Sequence, residues 1–190
     1  QPERSDGQRV TGSFFRMLGV APRIGRDFDV SDDRPDAPRV AIISDALWRR
    51  RFGADSAIIG QRLSLDGSDY AVIGVMPPAF ENVTEPRADV WTTLNYAATP
   101  PSEGPEWGHN LQMFGRLKPN ASLESAVRDL TEISRRPVPE FARPPWAAMR
   151  QPLAVTPMQH DLTRGVRPAL FSFLGAVALL LVIACVNVAN

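Results

Sequence analysis

Hydrophobic and polar positions separate most sharply at the C-terminal end. From Pro168 to Asn190 no side chain is charged, and the stretch from Leu174 to Val186 is apolar throughout. About 20 apolar residues in a helix cross a hydrocarbon core about 30 Å thick. A helix buried in a soluble core is shorter or keeps a polar stripe. The pattern therefore predicts a transmembrane helix within 164–190. The chain stops inside or just after it, and Gln1 is preceded by no basic-then-apolar leader. Both ends read as those of a piece of a longer protein.

Upstream the pattern changes to short elements. Val40-Ala41-Ile42-Ile43 is a β-branched run of the kind a buried strand uses. Asp45 to Phe52 follows as a short helix, capped by Ser44 or Asp45, stopped by Gly53, with Leu47, Trp48 and Phe52 on one side. Two alternating segments, Gln61–Leu65 and Tyr70–Val75, flank Asp66-Gly67-Ser68-Asp69 and predict a β-hairpin. A turn at Gly67-Ser68 sets Leu65 opposite Tyr70 and Leu63 opposite Val72, and a turn at Asp66-Gly67 is the alternative register. Met76-Pro77-Pro78 ends the second strand.

Further strands are predicted at Ala88–Leu94, Leu111–Leu117 and Leu153–Met158. Between the last two, Ser122 caps a helix whose Leu123, Ala126, Val127, Leu130 and Ile133 share one face, expected to pack on the sheet. The mixed order of elements predicts an α+β fold with helices on a largely antiparallel sheet.

Charge and composition narrow the function. Lys and Arg total 21 against 21 Asp and Glu, so no basic excess marks a nucleic-acid footprint. Lys118 is the single lysine and has no glycine-rich loop before it, so no nucleotide-binding P-loop is present. Cys185 is the single cysteine and falls in the apolar helix, which excludes an internal disulfide and a thiolate zinc site. His109 and His160 are far apart in sequence and imply no metal site, and no Gly-x-Ser-x-Gly elbow frames a nucleophile. The cluster Asp27, Asp29, Asp32, Asp33 and Asp36 lacks the Gly and Glu positions of an EF-hand and reads as a solvated loop balanced by Arg26 and Arg34. Arg49, Arg50 and Arg51 suit a helix C-terminus. The sequons at Asn82 and Asn120 are too short to carry an inference. No catalytic, cofactor-binding or metal-ligating residue is assigned, and the chain is not read as an enzyme.

Many phrases in one order carry a resemblance. They include Val10-Thr11-Gly12-Ser13-Phe14-Phe15-Arg16-Met17-Leu18-Gly19-Val20, Gly25-Arg26-Asp27-Phe28, Val40 to Gly53, Leu65-Asp66-Gly67, Val72 to Pro78, Ala88-Asp89-Val90-Trp91 and Gly115-Arg116-Leu117-Lys118-Pro119. Together they resemble the MacB-like periplasmic core domain of MacB/FtsX-type ABC-transporter permeases, above all the bacterial duplicated-permease relatives. Leu174 to Asn190 resembles the start of the second transmembrane helix of such permeases.

The resemblance implies an extracytoplasmic domain over residues 1–163, with a ferredoxin-like porter part and a β-rich insert at about 40–94, followed by a transmembrane helix over 164–190 that is truncated at its C-terminal end. It implies a non-enzymatic permease part in the bacterial inner membrane, coupled mechanically to a separate cytoplasmic ABC ATPase that holds the ATP. No cofactor is expected in this chain. The implied partners are that ATPase, a second permease copy or homodimer, an envelope protein and the lipid bilayer. A membrane-tethered domain that recruits or regulates a cell-envelope protein is the alternative. One local rule disagrees: Arg164 and Arg167 flank the span on the domain side, where the positive-inside bias would put cytoplasm.

Overall fold

A computed structural model of the chain describes residues 5–95, 111–136 and 154–189. These residues fall into two compact units, one containing the sheet and the other containing the three later helices. The Pro/Gly-rich stretches 96–110 and 137–153, with His109, lie outside the described residues.

The first unit is organised by its middle strand. β3 (Val40–Ile43) is buried at every position. It lies between β6 (Ala88–Thr93), to which it runs antiparallel, and β5 (Ser68–Val75), to which it runs parallel. A strand with neighbours on both edges and side chains packed on both faces favours a continuous apolar run over alternation. Its residues divide by parity between two cores. Val40 and Ile42 join Phe15, Phe28, Met76 and Trp91 on one face of the sheet. Ala41 and Ile43 join Leu47, Trp48, Ile58, Leu63, Val72 and Val75 on the other.

The remaining strands are β1 (Asp6–Val10), parallel to β6; β2 (Ile24–Gly25), antiparallel to β5; and β4 (Arg62–Leu65), antiparallel to β5. The six-stranded sheet runs β1-β6-β3-β5-β2, with β4 also on β5. It is mixed rather than largely antiparallel, because two of its ladders, β1–β6 and β3–β5, are parallel. It also draws β1 and β2, which precede residue 40, into the same sheet as β3 to β6.

The hairpin takes the second of its two registers. Leu63 faces Tyr70 and Leu65 faces Ser68, so Asp66-Gly67 forms the two-residue loop. Both loop residues have positive φ, +49° and +76°. That pair of conformations is a type I′ turn, whose twist matches the flanking strands, and Asp-Gly supplies it more readily than Gly-Ser.

On one face α1 (Phe14–Leu18) sets Phe15 at the centre of an aromatic group. Its ring meets Phe14, Phe80 and Trp91 edge-on at 5.2, 5.6 and 5.6 Å, and Phe28 stacked at 6.1 Å, the offset and edge geometries that aromatic quadrupoles favour. On the other face lies α2 (Asp45–Phe52), capped by Ser44, whose side chain accepts from the Leu47 N–H at 3.0 Å, and ended by Gly53 in the left-handed conformation. A bulge reinforces that cap. Asp6 and Gly7 pair with Ala88 and Val90, leaving Asp89 as the extra residue of β6. Its carbonyl accepts the Ser44 N–H at 2.8 Å and its carboxylate the Ser44 hydroxyl at 2.6 Å.

The second unit holds α3 (Leu123–Arg135), α4 (Met158–Arg164) and α5 (Arg167–Ala189). Ser122 caps α3 as expected, accepting from the Ser125 N–H at 3.1 Å. Of its expected apolar face, Leu123, Ala126 and Val127 are half-buried, while Leu130 and Ile133 are 37% and 56% exposed among the described residues. The predicted strand at 111–117 is absent. The segment forms no ladder with the described residues, and Leu111, Met113 and Leu117 are exposed; an alternating pattern becomes a strand only where a neighbour takes its N–H and C=O groups. Residues 154–157 likewise have no regular element, and Met158 opens α4 instead of closing a strand. Pro157 suits a helix start, where its missing N–H costs nothing, and its carbonyl accepts from His160 and Asp161.

Candidate functional site

The acidic loop after β2 is an internal fastening. Asp32 is buried and receives the Arg26 guanidinium at two points, 2.6 and 2.9 Å, together with the Asp29 N–H at 2.9 Å. Asp33 accepts the Gly12 N–H at 3.1 Å through one oxygen and the Asn95 N–H at 3.0 Å through the other. Asn95 returns its amide to the carbonyls of Asp32 and Arg34. Three loops, after β1, before β3 and after β6, are thus tied at Asp33. Asp29 caps the turn by accepting from Ser31 and from the Asp32 N–H.

The protonation equilibria follow these contacts. Hydrogen bonding from Arg26 holds the Asp32 carboxyl below its ordinary range, and Ser31 does the same for Asp29. Burial pushes Asp27 up, and one of its oxygens is enclosed without a partner. The sequence had implied a solvated loop balanced by arginine; Arg26 does pair with Asp32, but Asp32 is buried and Asp33 is half-buried. Their lone pairs serve backbone N–H groups and the Arg26 guanidinium.

The other polar groups singled out are also engaged in structure. Arg49 pairs with Asp45 at 2.6 Å and Arg50 with Asp89 at 3.1 Å, so two of the three clustered arginines serve α2. Asn82 is buried, donating to Gln8 at 2.7 Å and accepting from Thr84 at 2.8 Å, while Gln8 donates to Thr84 at 2.9 Å. This closed network removes the Asn82 amide from the surface. Among the described residues no group of three or more His, Cys, Asp or Glu side chains is placed to hold a metal ion. His160 is exposed on α4, and Cys185 is exposed on α5.

Two further features are the 111–118 segment and the long apolar helix α5. Arg116 donates through Nε to the Met17 carbonyl at 3.1 Å and through Nη2 to the Leu18 carbonyl at 3.2 Å, holding the 111–118 segment to the end of α1. Free carbonyls at a helix C-terminus attract a cation. Sequence reasoning missed this residue as a fastener. Arg116 sits at an even position of the alternating run Leu111, Met113, Gly115, Leu117, where a strand's polar face would also place it, so no local signal singles it out. At the other end, the Arg167–Asn187 stretch of α5 has a mean hydropathy of 2.8 and its apolar side chains are exposed. At about 1.5 Å per residue its 21 residues reach about 32 Å, the thickness of a hydrocarbon core.

The crystal structure of the periplasmic region of MacB from Actinobacillus actinomycetemcomitans superposes with a TM-score of 0.47 at 14% identity, over 68% of this chain and 55% of that one. The chain thus spans little more than half the length of that region. No curated protein matches it. The family model of the MacB-like periplasmic core domain matches residues 2–133, which takes in all six strands, the acidic loop, Arg116 and nearly all of α3. The chain belongs to the MacB-like periplasmic core domain family, a periplasmic module of ABC permeases.

Proposed function

We propose that the chain is the extracytoplasmic domain and adjoining membrane helix of an ABC-transporter permease, mechanically coupled to a separate cytoplasmic ATPase for export or mechanotransmission. The observation that carries this reading is a periplasmic-module family match over residues 2–133 in a chain that also holds a membrane-length apolar helix. In this reading residues 1–163 lie outside the bacterial inner membrane, 164–190 enter it, and ATP is handled on the partner. The domain does no chemistry of its own.

Physical features support a transmitting role. A sheet with a packed core on each face deforms little, because interiors at crystal-like density transmit strain. The loops that would otherwise absorb a displacement are tied at Asp33, and the departing chain is fastened by Arg116. The partners in this reading are that ATPase and a second permease copy or homodimer. A recruiting module is the second reading, favoured by the exposed Leu130 and Ile133 on α3.

The test is made in the complete permease co-expressed with its ATPase. Spin labels at Val30, the exposed tip of the acidic loop, and at Leu170 in α5 report their separation by pulsed electron resonance with and without ATP and vanadate. A nucleotide-dependent change supports coupling. Identical distance distributions in all nucleotide states, with the ATPase bound and active, would leave the recruiting role instead.

A further inference from the structure

Arg164 and Arg167 stand on the domain side of the span, where a periplasmic module should carry few basic residues by the positive-inside bias. Neither has an ion-pair partner among the described residues, although Asp161 is only one turn from Arg164. Their positions are fixed by a helical path that is barely interrupted. Gly165 keeps right-handed helical angles (φ −71°, ψ −27°), and the Val166 N–H donates to the Thr163 carbonyl at 3.1 Å. The Leu170 N–H then donates to the Val166 carbonyl at 3.1 Å.

At about 100° per residue this path separates two faces. Met158, Leu162, Val166 and Leu170, each four apart, form one apolar ridge, and Leu162, Val166 and Leu170 are exposed. Arg164 and Arg167 fall on the opposite side, three residues apart and so side by side, about 4.5 Å along the axis. The polar layer on each side of a bilayer is about 5–8 Å deep. Arg167 opens the apolar span, so both guanidiniums lie within that layer when the span is in place. Two adjacent planar forks present donors on one side, which suits a phosphodiester.

We propose that Arg164 and Arg167 together bind the phosphate of an anionic phospholipid of the phosphatidylglycerol class in the domain-side leaflet. The pair fixes how deep α5 sits. The proposal rests on the membrane-span reading above. It accounts for basic residues on the side that topology disfavours: bound to phosphate, they act as anchors for a helix already inserted.

The full chain is to be reconstituted in vesicles of equimolar phosphatidylcholine and phosphatidylglycerol, floated on a gradient, then extracted in mild detergent for native mass spectrometry of retained lipid. Each basic residue at an anionic surface is worth about fivefold in binding. Wild type is expected to retain phosphatidylglycerol severalfold over phosphatidylcholine. Arg164→Gln with Arg167→Gln should float equally well but lose that preference. Arg128→Gln with Arg135→Gln, which removes the same charge from α3, should keep it. No preference in wild type, or equal loss in the α3 control, overturns the proposal. Displacement of the lipid by millimolar inorganic phosphate would assign the pair to free phosphate and also overturn it. A wild-type chain that does not float overturns the span reading, and this proposal with it.

Discussion

Arg26 grips the buried carboxylate of Asp32 with two nitrogens, at 2.6 and 2.9 Å, from a position about half exposed to solvent. The asymmetry decides what each substitution does. Removing Arg26 strips a buried charge of its counterion, whereas removing Asp32 leaves a guanidinium that water can reach. Asp32→Ala is expected to cost about 1–3 kcal/mol, since the Asp29 N–H also loses its acceptor.

The same pair gives the sheet unit an acid limit. Asp32 is held below its ordinary range, so its folded form releases the proton more readily than the unfolded chain does. Its stabilising contribution is complete above the unfolded value of about 3.9 and is lost as pH falls through the lower folded value. Asp27, pushed up by burial, acts in the opposite sense: it favours the folded state at low pH and opposes it near neutrality. Urea titrations of a chain ending before the span, from pH 6 down to pH 3, should show a shallower fall for Asp32→Asn than for wild type. Parallel curves for the two would contradict the assignment.

Two glycines separate backbone strain from lack of space. Both Gly25 and Gly67 have positive φ, +78° and +76°. A methyl on Gly67 meets nothing within 4 Å, so Gly67→Ala should cost only the left-handed penalty, about 1–2 kcal/mol. A methyl on Gly25 would stand 2.1 Å from the Ile73 carbonyl oxygen, against the backbone of β5. Gly25→Ala is therefore expected to cost more than about 3 kcal/mol or to prevent folding. Chemical denaturation of both variants tests the order, and similar costs would show that space at Gly25 is unimportant.

Elements defined by local chemistry were legible in the sequence. Ser44 and Gly53 bracket α2 because a cap and a left-handed stop act within one turn of chain. The apolar run of α5 was equally plain. What failed depended on partners distant in sequence. Leu111 to Leu117 has a strand's alternation but no ladder, and α3 has an amphipathic face that the described residues leave open at Leu130 and Ile133. The hairpin register turned on which two residues accept positive φ, and Asp66 was the one underrated. Asp33 is tied to Gly12 and Asn95, 21 and 62 positions away, so no local pattern encodes the tie.

Arg116 offers a test of the fastening at α1. Its two donors reach carbonyls at the end of a five-residue helix, and no other described side chain takes those places. Arg116→Ala should release the 111–118 segment and raise its rate of limited proteolysis severalfold, with the melting of the sheet unit little changed. Arg116→Lys should restore only part of the protection, since one ammonium cannot match the spacing of the guanidinium fork. Unchanged proteolysis in Arg116→Ala would show that the segment is held by other contacts.

The membrane assignment makes the most direct prediction. Along α5 the side chains of Leu170, Phe171, Phe173, Leu174, Leu179, Leu180, Leu181 and Val182 are all more than half exposed, and no charge interrupts them. Exposed apolar area on this scale drives aggregation in water, whereas a bilayer accepts it at about 0.8 kcal/mol per buried methylene. The full chain should therefore require detergent or lipid to stay in solution. A chain ending at Asp161 keeps the sheet unit intact and loses only this surface, so it should be soluble without detergent and retain the strand content of the parent by circular dichroism. Ultracentrifugation of the two in detergent-free buffer distinguishes them. Equal sedimentation would mean that α5 finds a protein partner instead of lipid, and the span would have to be reassigned to a packed helix.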